Sequence, residues 1–204
     1  MLASARKGKV EEGFSLIEVL VAVGILAVGM VSTAALLARM TSETVRSKYM
    51  SIAAMLASEK LEDLNRWPSN DAHIAVTSGT TAGSLAADDV QNVTVGATTT
   101  DVNYYDEVGI GASNGAMAET VSGLDAGGNV VYTTTIHTPD GYIGPADSDH
   151  PAPPVTYKRR WLIEKDPVVN GTAVSGVRRL TVLVILEDNT VRPPVTFQMS
   201  AERP

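Results

Sequence analysis

One acidic side chain stands out because it lies inside a long apolar run. Residues 14–38 hold a single ionisable group, Glu18, and the other polar side chains of that run belong to Ser15, Ser32 and Thr33. About 20 apolar residues are enough for a helix to cross a bilayer. A carboxylate at the centre of such a helix costs roughly 3 kcal/mol. Glu18 therefore requires an ionic partner, a bound proton or a function that justifies a carboxylate at this position.

The residues in front of the apolar run indicate which kind of segment this is. Residues 1–13 are polar, carry Arg6, Lys7 and Lys9, and end in Gly13 immediately before Phe14. A secretory signal peptide would place its cleavage site after the apolar region instead. The sequence Gly-Phe-Ser-Leu-Ile-Glu followed by an apolar helix resembles the prepilin processing site of type IV pilins and type II secretion pseudopilins.

That resemblance implies a role for three residues. A prepilin peptidase would cut after Gly13, the new terminal residue Phe14 would be N-methylated, and Glu18 would be the family's glutamate five positions after the cut. In a fibre, the amine of an incoming subunit would pair with Glu18 of a docked subunit, or a subunit would pair the two groups within itself. Removing one partner of such a pair leaves an uncompensated charge. The competing interpretation is a signal anchor whose glutamate reaches the lipid headgroups.

The resemblance also implies location and partners. It predicts a single-pass protein of the bacterial inner membrane with a cytoplasmic amino terminus and a periplasmic head, which then enters a pilus or pseudopilus. The implied partners are other major and minor pilin subunits, the prepilin peptidase and the inner-membrane assembly platform. The basic residues before the apolar run agree with this orientation.

Other chemistry has little support in the sequence. His73, His137 and His150 are scattered, and cysteine is missing. We therefore predict no catalytic residue, no metal ligand and no cofactor, and a protein that is not an enzyme. Asp101, Asn103, Asp106 and Glu107 offer oxygen ligands of the kind that calcium takes. They lack the glycine and the terminal glutamate of a regular calcium loop, so a solvated acidic loop is the preferred interpretation.

The helix that holds the apolar run is predicted to continue beyond it. Residues 39–66 contain neither proline nor glycine, and Pro68 is expected to end the helix near Arg66 or Trp67. An apolar stripe with helical spacing predicts a face that packs on a head domain. The stripe consists of Val45, Tyr49, Ile52, Leu56, Ala57, Leu61 and Leu64. Glu62 and Arg66 have the spacing of an ion pair.

The remainder of the chain is predicted to form an antiparallel sheet. Alternating or β-branched runs predict strands at residues 90–95, 130–137, 155–163, 180–186 and 195–199, the last at an edge. Asn170-Gly171 predicts a turn inside the connection between two of these strands. The expected fold is α+β and pilin-like, with one long helix packed on a sheet. The expected segments are a leader at 1–13, a transmembrane assembly half of the helix at 14–38, an amphipathic half at 39–67, a loop-rich αβ region at 68–129 and the antiparallel sheet at 130–204.

Charge is distributed unevenly along the head. Residues 68–156 contain 11 acidic side chains and no lysine or arginine, whereas residues 158–204 contain 8 basic and 5 acidic ones. A basic cluster on two predicted strands could contact DNA or another acidic surface. The cluster consists of Lys158, Arg159, Arg160, Arg178 and Arg179. The net charge of −7 argues against nucleic acid, and the preferred interpretation is that basic and acidic faces of neighbouring subunits meet along a fibre.

Two classes of function therefore remain open. The first is structural: a minor type IV pilin, for which LASEKLEDLNRW and RRLTVLVILED resemble PilV-type minor pilins, with a minor type II secretion pseudopilin as the alternative. The second is a membrane-anchored binding protein that uses the basic cluster. Motility, adhesion, DNA uptake and secretion are equally compatible with the first class.

Overall fold

The computed structural model describes residues 15–112, 114–125, 127–188 and 191–204. Two compact units divide the chain, Met1–Val45 and Arg46–Pro204. The first unit contains the beginning of helix α1, and the second contains the end of that helix together with the strands. The predicted class is confirmed, because one long helix precedes an antiparallel sheet domain and the arrangement matches the α+β pilin fold.

Helix α1 extends over Leu16–Arg66 without interruption. Its end at Arg66 confirms the stop predicted from Pro68, since the residue before a proline is disfavoured in the α conformation. Within the second unit, the predicted stripe is confirmed in its last four members, Leu56, Ala57, Leu61 and Leu64, which are buried. Tyr49 and Ile52 are half-buried, whereas Val45 is exposed.

Among the described residues, eight strands form the main sheet, in the order β12-β11-β8-β4-β5-β6-β7, with β1 also paired to β8. All described pairings are antiparallel. Two hairpins, β2–β3 and β9–β10, form separate two-stranded sheets. The strands are β1 (Thr81–Gly83), β2 (Val90–Val95), β3 (Thr98–Asn103), β4 (Tyr105–Ile110), β5 (Met117–Leu124), β6 (Val130–His137), β7 (Ile143–Gly144), β8 (Val155–Lys165), β9 (Val168–Val169), β10 (Thr172–Ala173), β11 (Arg178–Leu186) and β12 (Thr196–Arg203).

The core of the second unit lies between the end of α1 and one face of this sheet. Alternate residues of a strand point to opposite faces, and in β8 the side chains of Tyr157, Trp161 and Ile163 are buried while their neighbours are half-buried. In β11 the fully buried Leu180, Val182 and Val184 continue the same layer. They form one cluster with the buried residues of α1.

The strands predicted at 90–95 and 130–137 are confirmed with the same bounds. The final strand is confirmed at the edge of the sheet, beside β11. Asn170 and Gly171 both have positive φ, 50° and 82°, as a two-residue type I′ turn requires. The sheet also takes β4 and β5 from the segment 68–129, where the sequence shows little strand pattern.

Candidate functional site

The apolar surface of α1 in the first unit is unpaired within the described chain. Every leucine, isoleucine, valine and methionine from Leu16 to Met40 is more than half exposed, from 51% at Val19 to 84% at Leu16. By length and composition, α1 is the one described helix that could span a membrane. Burying this much apolar surface is strongly favourable, so this part of the helix requires lipid or other apolar helices around it.

Glu18 lies in the first turn of the helix. Ser15 precedes the helix, and its carbonyl oxygen and its Oγ both accept the Glu18 N–H, at 3.0 and 3.3 Å. This is an N-cap with a glutamate at the third helical position, a known capping pattern. A carboxylate in the first turn is stabilised by the exposed N–H groups there, by about 0.3–1 kcal/mol. Sequence reasoning missed this local role, although Ser-x-x-Glu is its signal.

The carboxylate of Glu18 nevertheless lacks an ionic partner in the described residues. The other polar side chains of the apolar run are satisfied inside the helix, since Ser32 Oγ donates to the Val28 carbonyl and Thr33 Oγ1 to the Gly29 carbonyl, both at 2.8 Å. No cation in the described part of the chain lies within ion-pair distance of Glu18. Gly13 and Phe14, the other two predicted site residues, lie outside the described residues.

Comparison with known families identifies the segment that contains these three residues. Residues 8–34 match the family model described as the prokaryotic N-terminal methylation motif. This motif supports a type IV pilin-like protein. Together with the apolar start of α1 it supports an anchor in the inner membrane. No curated protein and no solved structure matches the chain.

A cluster of buried charges joins α1 to the sheet in the second unit. Arg159 of β8 donates to both oxygens of Asp106 in β4, from Nε at 2.6 Å and from a terminal nitrogen at 2.8 Å. Lys60 of α1 lies 3.1 Å from the same carboxylate. Asp106 and Arg159 are only 2% and 4% exposed. A bidentate pair of this kind is a strong, directional contact.

Two further contacts complete this charge cluster. Glu119 of β5 accepts a bond from Arg159 at 3.1 Å, and Lys60 lies 4.1 Å above the centre of the Trp161 ring, within the range of a cation–π contact. Burial alone would lower the pKa of Arg159, but the bonds to Asp106 and the charge of Glu119 raise it above its ordinary value. The predicted solvated acidic loop is wrong here, because Asp106 is buried in β4.

The basic cluster predicted as a binding surface is mostly paired within the chain. Lys158 lies 3.0 Å from Asp88 and 3.2 Å from Glu107, and Arg160 donates to Asp88 at 2.8 Å. Burial alone would raise the pKa of Asp88, but hydrogen bonds from Lys158 and Arg160 lower it below its ordinary value. Arg179 pairs with Glu164 and Glu202, and Arg159 pairs with Asp106. Four of the five basic residues therefore have carboxylate partners. Arg178 is the exception.

Two of the three histidines take part in local contacts. The Nδ1 atom of His73 lies 2.7 Å from Asp71, and its ring stacks on Trp67 with 4.6 Å between centres. The Nδ1 atom of His150 lies 3.0 Å from Asp147, and its ring stacks on Tyr142. Asp71 and His73 are two positions apart, and Asp147 and His150 are three positions apart. Both of these histidine–aspartate contacts therefore stabilise turns.

Proposed function

We propose that this chain is a minor type IV pilin, cut after Gly13 by a prepilin peptidase and N-methylated on Phe14. The observation that carries the proposal is the methylation motif at residues 8–34, which overlaps the apolar start of α1, where Glu18 has no ionic partner among the described residues. The resemblance of residues near the end of α1 and in β11 to PilV-type subunits supports the minor class. The same observations support a minor pseudopilin of type II secretion as the second candidate.

In this proposal, residues 1–13 are the leader and residues 14–38 form the part of α1 that crosses the inner membrane. The amino terminus is cytoplasmic, and the head that follows is periplasmic before assembly. The partners are other pilin subunits, the peptidase and the inner-membrane assembly platform. The chain acts as a structural subunit and not as an enzyme.

Glu18 has the central part in assembly. The free amine of Phe14 in an incoming subunit pairs with the Glu18 carboxylate of a subunit that is already docked. Both groups are desolvated there, and removing one of them leaves the other uncompensated at a cost of about 3–5 kcal/mol. Membrane insertion depends on the apolar length of the helix and not on this carboxylate.

The test is Glu18→Ala in cells that assemble fibres. The variant should insert into the membrane normally but be depleted from sheared fibres by at least roughly a hundredfold. Glu43→Ala is the matched control, because Glu43 is an exposed carboxylate on the same helix beyond the apolar run. Equal incorporation of Glu18→Ala and Glu43→Ala would contradict the role of Glu18.

A further inference from the structure

Three cations lie side by side at one end of the main sheet. In the strand register Arg178 of β11 is opposite Lys165 of β8 on one side and opposite Arg203 of β12 on the other. We call these three residues the cationic row. Like charges directly opposite one another on neighbouring strands destabilise a sheet, so this row requires compensation.

The adjacent row shows how the same strands normally compensate charge. One position along, Arg179 is opposite Glu164 and Glu202, and it pairs with them at 3.5 and 3.3 Å. That row alternates in sign, whereas the cationic row does not. Because both rows lie on the same three strands, the lack of alternating charge is specific to the cationic row.

Within the described residues, the cationic row contacts backbone oxygens and no carboxylate. Arg203 donates to the carbonyls of Asn65 and Trp67 at the end of α1, at 3.0 and 2.9 Å. Arg178 donates to the Ser69 carbonyl at 3.3 Å. Its Nε has no hydrogen-bond partner, although the side chain is only 7% exposed. A buried cation without a counter-charge is costly.

Three further observations define the surroundings of the cationic row. Burial, and after it the charge of Arg203, lower the pKa of Arg178 below its ordinary value. Asp166, which follows Lys165 in the chain, is occupied by the Gly176 N–H at 2.6 Å and by the Ser78 hydroxyl. A cavity of about 200 Å³ adjoins the row, lined by Ser69, Lys165, Gly176, Val177, Arg178 and Pro204.

We infer that the cationic row and this cavity form a binding site for one small oxyanion, a carboxylate or a phosphate. The volume is about seven times the roughly 30 Å³ occupied by a water molecule, which accommodates such an anion with some of its water. Guanidinium and ammonium groups are the usual ligands of both oxyanions. The anion can come from solution or from an acidic side chain of a second copy.

The test measures the thermal unfolding midpoint of the full chain in detergent micelles. Sodium phosphate and sodium acetate are each compared with sodium chloride at equal ionic strength. At an oxyanion concentration about fivefold above the dissociation constant, the midpoint should rise by roughly 2–4 °C. A rise with protein concentration in chloride alone would identify a second copy as the source, and a rise with added oxyanion would identify the free ion.

Substitutions show which residues are responsible for the rise in the unfolding midpoint. Arg178→Met keeps the buried aliphatic part of the side chain and should abolish the response, whereas Arg179→Met, on the next residue, should retain it. If Arg178→Met does not fold, Lys165→Met at the half-buried rim of the cavity should still reduce the response. The inference is overturned if neither oxyanion nor protein concentration shifts the midpoint, or if both Arg178→Met and Lys165→Met respond like the unsubstituted chain. Such a failure leaves the assembly proposal unaffected, since that proposal depends on Glu18.

Discussion

At the scale of single residues, Asp106 is the most consequential side chain of the head. It is a carboxylate at 2% exposure with two cationic partners from different elements, Arg159 of the sheet and Lys60 of the helix. Burying charges is costly, and the cost is recovered only when each group keeps its partners. Asp106 therefore fixes how the end of α1 lies on β4 and β8.

Replacing Asp106 with asparagine should destabilise the second unit strongly. The variant keeps the shape of the side chain but leaves Arg159 and Lys60 without their buried counter-charge, which costs about 3–5 kcal/mol. Chemical denaturation of the full chain measures this change. Glu62→Gln is the control, because it removes an exposed ion pair to Arg66 at 2.9 Å and should cost about 0.5 kcal/mol or less. Equal effects would show that burial does not determine the strength of the Asp106 contacts.

The position of the Glu18 carboxylate in an apolar run could be predicted from the sequence, but the burial of the Asp106 carboxylate could not. A charge inside an apolar run is visible along the chain, because its neighbours in sequence define its surroundings. The surroundings of Asp106 come from Lys60 and Arg159, which are far away in sequence. In the sequence Asp106 therefore resembles any acidic residue of a loop.

At the scale of elements, the end of α1 is held by its apolar stripe. Leu56 is completely buried in the cluster that joins the helix to β8 and β11, whereas the adjacent Met55 is 54% exposed. The helical period places these two neighbours on different faces. The stripe was predictable from sequence because a single helix carries all of its members.

Leu56→Ala should lower the free energy of unfolding by about 2–5 kcal/mol, since it removes buried methyl groups and leaves a cavity. Met55→Ala, one residue earlier on the exposed face, should change it by about 0.5 kcal/mol or less. Both values can be measured by chemical denaturation under the same conditions. A Met55→Ala effect as large as that of Leu56→Ala would contradict the packing described for α1.

A strand could be predicted from the sequence only where its own residues alternate in polarity or are β-branched. Strand β6 is a β-branched run, and its sequence indicates its bounds. Strand β4 contains Asp106 and Glu107, which are poor strand formers, and it is stabilised by pairing with β5 and β8 and by contacts to Arg159 and Lys158. Its partner β5 approaches closely at Gly109, where an added Cβ would lie 3.1 Å from that of Ala118. These causes are tertiary, so the sequence of β4 alone does not reveal them.

At the scale of the whole molecule, the two oppositely charged parts of the head meet within one chain. Acidic residues of the segment 68–156 pair with basic residues of β8, as Asp88 and Glu107 do with Lys158. The uneven charge was evident in the sequence, but the expected pairing was between neighbouring subunits. Intramolecular pairing stabilises the head, whereas the cationic row has no carboxylate partner among the described residues.

The proposed function requires that a prepilin peptidase convert this chain into a methylated, pilin-like subunit. Intact-mass analysis of the protein from membranes of cells with and without the prepilin peptidase measures this conversion. We predict a species that begins at Phe14 and is heavier by one methyl group, present only when the peptidase is present. A protein that keeps residues 1–13 in both kinds of cell would contradict the claim.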